Sequence, residues 1–124
     1  GGMKGHRAEM SKTELHRVLC AAFGVDKIHS EYGMAELMSQ GYSVGEGLFA
    51  APPWMKVMTR DVNNPFRVLD VGQRGAINII DLANIYSCSF IATQDMGIAY
   101  ADGTFRIEGR VTDADIRGCN LLVQ

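Results

Sequence analysis

The side chains with chemical potential are few and scattered. His6, His16 and His29 stand apart along the chain, and Cys20, Cys88 and Cys119 form no C-x-x-C pair. Neither a structural zinc site nor a disulfide framework is therefore expected. The chain holds no G-x-S-x-G elbow and no complete phosphate loop. His16 falls in a helical stretch where a surface or half-buried role is the ordinary one, and Cys20 and Cys88 flank apolar residues and read as small core side chains. Tyr32 and Trp54 suit a core as well as they suit stacking. The segment Glu31-Tyr32-Gly33-Met34-Ala35-Glu36 is more informative, because a strand that runs into a glycine turn often lines a site.

The elements that must position these residues change character along the chain. Leu15, Val18, Leu19 and Ala22 recur at helical spacing and predict a helix from Lys12 to about Phe23. Ser11 and Glu14 make a capping box and Gly24 a stop. Val25 to Ser30 reads as a short strand, and Gly41 to Pro53 as a loop rich in Gly, Pro and Ser. Short strands follow: Met55 to Thr59, Ala76 to Leu82, Ser87 to Thr93 and Thr104 to Glu108. Turns are marked by Asn63-Asn64-Pro65, Gly72-Gln73-Arg74-Gly75 and Asp102-Gly103. Asp113 to Ile116 reads as a helical turn stopped by Gly118. One or two helices followed by a meander of short strands give an α+β domain, with the strands expected to curl into a small barrel-like sheet. The 124 residues suffice for one domain or a fragment of a larger one, with a helical part over 1–40, a strand-rich part over 41–108 and a C-terminal segment over 109–124.

Composition limits the function classes. Twelve Lys and Arg against 14 Asp and Glu leave a formal net charge of -2, too near neutral for a dedicated nucleic-acid binder. No apolar run approaches the roughly 20 residues of a membrane span, so a soluble protein is expected, and the cysteine usage suggests a cytoplasmic one. The 14 glycines exceed the usual share, about 7%, and point to functional loops and turns. The opening Gly1-Gly2-Met3-Lys4-Gly5 reads either as a vector remnant before a start methionine or as an internal glycine-rich loop.

Four segments in a fixed order carry a family resemblance. Tyr32-Gly33-Met34-Ala35-Glu36 resembles the Tyr-Gly-x-Thr-Glu motif of the adenylate-forming superfamily, the acyl- and aminoacyl-activating ligases. Val71-Gly72-Gln73-Arg74-Gly75-Ala76-Ile77 is similar to its Gly-Glu-x-Gly-Glu-Ile segment, Thr93-Gln94-Asp95-Met96-Gly97 to Thr-Gly-Asp-x-Gly, and Gly109-Arg110-Val111-Thr112-Asp113 to the Gly-Arg-x-x-Asp hinge. Gly1-Gly2-Met3-Lys4-Gly5-His6-Arg7 and Ile116-Arg117-Gly118-Cys119-Asn120-Leu121 further resemble segments of the acyl-protein synthetases, the luciferin-component ligase or LuxE family. The resemblance spans the chain, favours the internal-loop reading of Gly1-Gly2, and implies the C-terminal third of a longer enzyme.

Such enzymes join a carboxylic acid, for example a fatty acid, to the α-phosphate of ATP and pass the acyl group of the acyl-adenylate to a thiol. The resemblance implies nucleotide binding by Gly2, Lys4, Tyr32, Gly33, Met34, Ala35, Asp95 and Arg110. Tyr32 would offer a flat face to adenine, Gly33 a close backbone approach, and Asp95 two oxygens for the ribose hydroxyls. Arg110 would reach ribose or phosphate, and Glu36 would hold Mg²⁺, a cation that prefers oxygen ligands. Asp113 would sit at the hinge of a mobile C-terminal piece. Cys119, with Arg117 favouring its thiolate, would carry the acyl group, and the partner would be an acyl-accepting reductase or, where no protein thiol is used, coenzyme A.

Two departures and three absences qualify this expectation. Ala35 replaces a threonine whose hydroxyl contacts phosphate, and Gln94 replaces a glycine. The Ser/Thr/Gly-rich phosphate loop, the acyl-binding region and the adenylation lysine are missing, so the 124 residues alone are expected to be inactive. A phenylacetate-type coenzyme A ligase and a non-catalytic nucleotide-binding or interaction module are the alternatives. An exposed apolar face around Leu48, Phe49 and Trp54 is expected to support a homodimer.

Overall fold

The computed structural model describes residues 10–43 and 45–111. Its first element is α1 (Lys12–Phe23), which starts where Ser11 Oγ accepts the Glu14 N–H at 3.2 Å. It ends at Gly24, whose φ of 64° places it in the left-handed region that glycine enters without steric cost. The strands are β1 (Glu31–Tyr32), β2 (Gly41–Ser43), β3 (Leu48–Ala50), β4 (Met55–Arg60), β5 (Arg74–Asp81), β6 (Phe90–Ala99) and β7 (Thr104–Arg110), with a 3-10 turn at Leu82–Asn84 after β5. Among the described residues no helix is long and apolar enough to cross a membrane.

All seven strands form one sheet of order β1-β2-β3-β7-β6-β5-β4, every neighbouring pair antiparallel. β4 to β7 form one meander, β1 to β3 another, and β3 joins them by pairing with β7. Chain connectivity forces this sheet to curl. β3 and β4 lie four strand spacings apart, roughly 19 Å across a flat sheet, yet only Ala51 to Trp54 connect them. The connector itself turns back, with the Met55 N–H donating to the Pro52 carbonyl at 2.9 Å, so the sheet must bend to bring β3 and β4 together.

Curling does not close the sheet, which corrects the barrel-like expectation. No ladder joins the edge strands β1 and β4 among the described residues. Closure would need strands of matched length, tilt and stagger, whereas β1 has two residues and β2 three. Side-chain contacts fill the gap instead: the Met38 and Ser39 N–H groups, between β1 and β2, donate to Asp81 at the end of β5 at 3.0 and 2.9 Å. Trp54 Nε1 adds a bond to Ser39 Oγ at 3.0 Å.

Inside the curl, Tyr32, Leu37, Phe49, Met55, Ile77, Ile79 and Phe105 form the core. Phe49 and Phe105 stack at 5.4 Å, and Tyr32 meets Phe105 edge-on at 5.5 Å. Gly41 makes room for that cluster, since a Cβ there would lie 2.6 Å from Phe105 Cζ.

Other expectations shift with the fold. Val25 to Ser30 is not a strand, although the Ser30 carbonyl accepts the Ser43 N–H at 2.8 Å. The expected loop from Gly41 to Pro53 contains β2 and β3, three residues each, too short to show alternation amid Gly and Ser. Cys88 is exposed and Cys20 half-buried, so neither is a fully buried core side chain. The proposed dimer face fails at Phe49, which is 1% exposed because it alternates inward on a strand held between β2 and β7; Trp54 alone of the three is largely exposed.

Close packing between β6 and β7 gives a direct test. A Cβ on Gly97 would lie 2.1 Å from the Arg106 carbonyl oxygen and 3.0 Å from Ile77 Cδ1, and backbone cannot yield as a flexible side chain can. Gly97→Ala is expected to lower stability by roughly 1–3 kcal/mol in urea unfolding; an unchanged midpoint would contradict the close contact.

Candidate functional site

The curl brings together residues that the sheet order separates. Tyr32 lies on edge strand β1 and Asp95 on β6, four spacings away. On a flat sheet that gap exceeds the combined reach of a tyrosine and an aspartate. Here Tyr32 Oη donates to Asp95 Oδ2 at 2.7 Å, across 63 positions of sequence. Arg110, paired with Asp95 across the β6–β7 ladder, holds its Nε 3.7 Å from Asp95 Oδ1. Burial, then the hydrogen bond and negative charge of Asp95, raise the Tyr32 phenol well above its ordinary value. Tyr32 is therefore a neutral donor throughout the physiological range.

Asp95 is positioned by irregularities in the sheet. Register shifts occur between Ala76 and Asn78 on the β5 side of β6 and between Met96 and Gly97 on the β7 side. The first disrupts ladder bonds around Ile77, and side chains occupy its carbonyl: Thr93 Oγ1 donates to it at 3.0 Å and Arg60 at 2.9 Å. Arg60 also bonds Asn78 Oδ1 at 2.7 Å and the Thr93 carbonyl at 2.8 Å. Thr93 Oγ1 then accepts the Asp95 N–H at 3.1 Å. A bulge that re-aims a side chain next to a site is a common use of this irregularity.

The glycine-turn segment is held by a second network. The Leu37 N–H donates to the Met34 carbonyl at 3.1 Å, closing a turn whose ends pack on the core through Met34 and Leu37. Ala35 and Glu36 are left exposed at its tip. Asn84 Nδ2 bonds the Glu36 carbonyl at 2.7 Å and the Cys88 carbonyl at 2.9 Å, which fixes the turn against the chain after β5. Asp81, 0% exposed, accepts from Ser39 Oγ at 2.7 Å and the Ala83 N–H at 3.1 Å besides Met38 and Ser39 N–H. Burial would raise its pKa, but the Ser39 hydroxyl and the N–H groups of Ser39, Ala83 and Met38 outweigh it and hold the carboxyl below the usual range.

Of the residues expected from sequence, the structure brings Tyr32, Asp95 and Arg110 into one cluster. Gly33, Met34, Ala35 and Glu36 lie on the turn directly after Tyr32. A Cβ on Gly33 would meet only the flexible Gln40 side chain, at 3.2 Å. Gly2, Lys4, Asp113 and Cys119 fall outside the described residues. Sequence reading missed Asp81, Asn84, Arg60 and Thr93 Oγ1 as supports. Asp81 alone left a signal, an aspartate at a strand end capping the next turn through the Ala83 N–H.

The donor set suits Mg²⁺ only in one form. Among the described residues no group of three or more His, Cys, Asp or Glu could hold a metal ion. One exposed carboxylate, Glu36, fits an ion bound chiefly by phosphates and water. Two clefts lie apart from this cluster, one of about 370 Å³ between α1 and Gly45–Gly47 and one of about 420 Å³ between Tyr42 and Trp54.

This fold, a curled open sheet preceded by one helix, is shared with segments of several larger enzymes of known structure. Among solved structures, apo MatB from Rhodopseudomonas palustris matches with a TM-score of 0.58 at 21% identity, over 86% of this chain and 25% of that one. A luciferase-like enzyme from the nonluminescent mealworm Zophobas morio matches at 0.54 and 18% identity, over 82% of this chain and 30% of that one. O-succinylbenzoate coenzyme A synthetase from Bacillus subtilis, in complex with AMP, matches at 0.54 and 19% identity, over 77% and 24%. The chain thus spans less than a third of each of these structures, and at such identities the likeness establishes a shared fold. No protein-family model and no curated protein sequence matches the chain.

Acid titration tests the Asp81 network. A carboxyl whose folded pKa lies below its unfolded value, about 3.9, contributes stability that is present above that pH and lost as pH falls through the folded value. Asp81→Asn is expected to cost roughly 1–3 kcal/mol at pH 7, with the gap to the unaltered protein narrowing below about pH 4. Unfolding curves showing the same gap at pH 7 and pH 3 would count against the role of the charge.

Proposed function

We propose that this chain forms part of the ATP/AMP site of an ATP-dependent acyl-activating ligase, one that adenylates a carboxylic acid and passes the acyl group to the thiol of Cys119, as an acyl-protein synthetase does. The observation that carries this reading is the convergence of Tyr32, Asp95 and Arg110. They come from three of the four ordered segments, and they meet on a fold shared with an AMP complex.

In this reading Asp95 accepts ribose hydroxyls, a task suited to a carboxylate held from behind by the Tyr32 hydroxyl on a backbone fixed by Thr93. Arg110, whose side chain is 73% exposed and only loosely engaged with Asp95, turns toward ribose or phosphate when the nucleotide arrives. Glu36, at the exposed tip of its turn, would help hold Mg²⁺ against the phosphates, and that ion would offset their charge. Gly2 and Lys4 would join the nucleotide from the N-terminal segment, while Asp113 would serve as the pivot that lets the C-terminal segment move after adenylation. Cys119 attacks the acyl carbonyl as thiolate, forming the thioester and releasing AMP.

A second reading, a coenzyme A ligase, is favoured by the neighbours whose names state that acceptor, including a benzoate coenzyme A ligase from Burkholderia xenovorans. There the cysteine is dispensable, since coenzyme A supplies the thiol.

The two separate in mass spectrometry of the full-length parent protein incubated with ATP, Mg²⁺ and a panel of carboxylic acids. Acyl-AMP together with an acylated Cys119 peptide is expected, and Cys119→Ser should abolish the adduct while leaving acyl-AMP. Acyl-AMP with no adduct would shift the acceptor to coenzyme A, and the absence of both products would overturn the ligase reading.

A further inference from the structure

Resting on that nucleotide reading, we propose that Tyr32 serves the site through its hydroxyl rather than its ring face: it is a positioning residue that clamps Asp95 Oδ2 and leaves Oδ1 to read a ribose hydroxyl. The ring is poorly placed to be a platform. Tyr32 is 9% exposed, with Phe105 against it at 5.5 Å and Phe49 at 6.0 Å. Stacking a base needs an open aromatic face, and so little of this residue reaches solvent that the ring is already spent on the core. Its one polar atom points at the functional carboxylate instead.

The two oxygens of Asp95 face different surroundings. Oδ2 receives the Tyr32 hydroxyl at 2.7 Å from the core side. Oδ1 faces the exposed Arg110 at 3.7 Å, beyond hydrogen-bond length, so it remains able to accept a ligand hydroxyl. Thr93 Oγ1 fixes the Asp95 backbone at 3.1 Å, and the Asp95 side chain is 19% exposed. With backbone and one oxygen both held, the carboxylate cannot rotate freely about its last bond, and Oδ1 is presented in one direction. A carboxylate fixed in this way reads one hydroxyl of a vicinal diol more strongly than the other, because only one can align with Oδ1. A freely rotating carboxylate would accommodate either.

Tyr32→Phe isolates the hydroxyl, because the ring and its packing persist. Binding of AMP, 2′-deoxy-AMP and 3′-deoxy-AMP would be followed by NMR titration of the 124-residue protein and of Tyr32→Phe and Asp95→Ala, with circular dichroism confirming that each is folded. The unaltered protein is expected to lose more affinity for one deoxy isomer than for the other. Tyr32→Phe should weaken AMP roughly 3- to 10-fold and bring the ratio between the two isomers close to one. Asp95→Ala should remove the preference altogether. Unchanged affinities and ratios in Tyr32→Phe would overturn the proposal and return the ring face to consideration.

A readout free of nucleotide separates this inference from the reading beneath it. The Tyr32 hydroxyl proton, buried and shared with a carboxylate, should exchange slowly with water, vanish in Tyr32→Phe and exchange faster in Asp95→Ala. The same exchange rate in Asp95→Ala would overturn the clamp. Slow exchange together with no AMP binding by the unaltered protein would instead overturn the nucleotide reading, and the ribose role with it, while leaving the clamp established.

Discussion

The hydrogen bond between Tyr32 and Asp95 can form only because the sheet curls, and the curl follows from covalent connectivity. A connector of four residues that turns back on itself cannot join strands four spacings apart on a flat sheet, so the sheet bends until β3 and β4 can be joined. That same bend folds the β1 edge over β6. The phenol then meets the carboxylate over a core made by Phe49 and Phe105, and Gly41 admits the Phe105 ring where any side chain would obstruct it. Core packing and site geometry are thus one constraint: what buries the Tyr32 ring also aims its hydroxyl.

Two supporting networks share a physical logic. Where regular pairing stops, buried backbone groups need other partners, because leaving them unmet is costly. Around the β5–β6 irregularity, Arg60 and Thr93 supply them and thereby hold the backbone of Asp95. At the open end of the sheet, Asp81 collects the N–H groups of Met38 and Ser39, and Asn84 takes the carbonyl of Glu36. The irregular segments that carry the candidate ligand-binding residues are held by side chains from regular strands and the turn after β5. This fixes the turn bearing Glu36 without making it part of a ladder.

Much of the local structure was legible from sequence. The capping serine and terminal glycine of α1 act through hydrogen bonds and steric freedom confined to a few adjacent residues, so Ser11 and Gly24 delimited the helix correctly. The longer strands β4 to β7 also emerged, with boundaries displaced by a few residues. β2 and β3 did not, since three residues give no period to detect and their pairing partners lie far away in sequence. Phe49 was misread as an exposed apolar residue for the same reason: its burial depends on β7, more than fifty residues later. The barrel expectation took no account of strand length, which leaves β1 and β4 as separate edges.

For the candidate site, sequence by itself determined which residue types were available and in what order: a tyrosine before a glycine turn, an aspartate before Gly97, an arginine after Gly109. Such information is local and survives without knowledge of the fold. Tertiary structure decided which of them meet and through which atoms. Whether Tyr32 presents its ring or its hydroxyl depends on Phe49 and Phe105 occupying its flanks. Which oxygen of Asp95 is free depends on the curl that brings β1 across to β6. Both are products of long-range packing, and no short window of sequence contains the contacts that produce them.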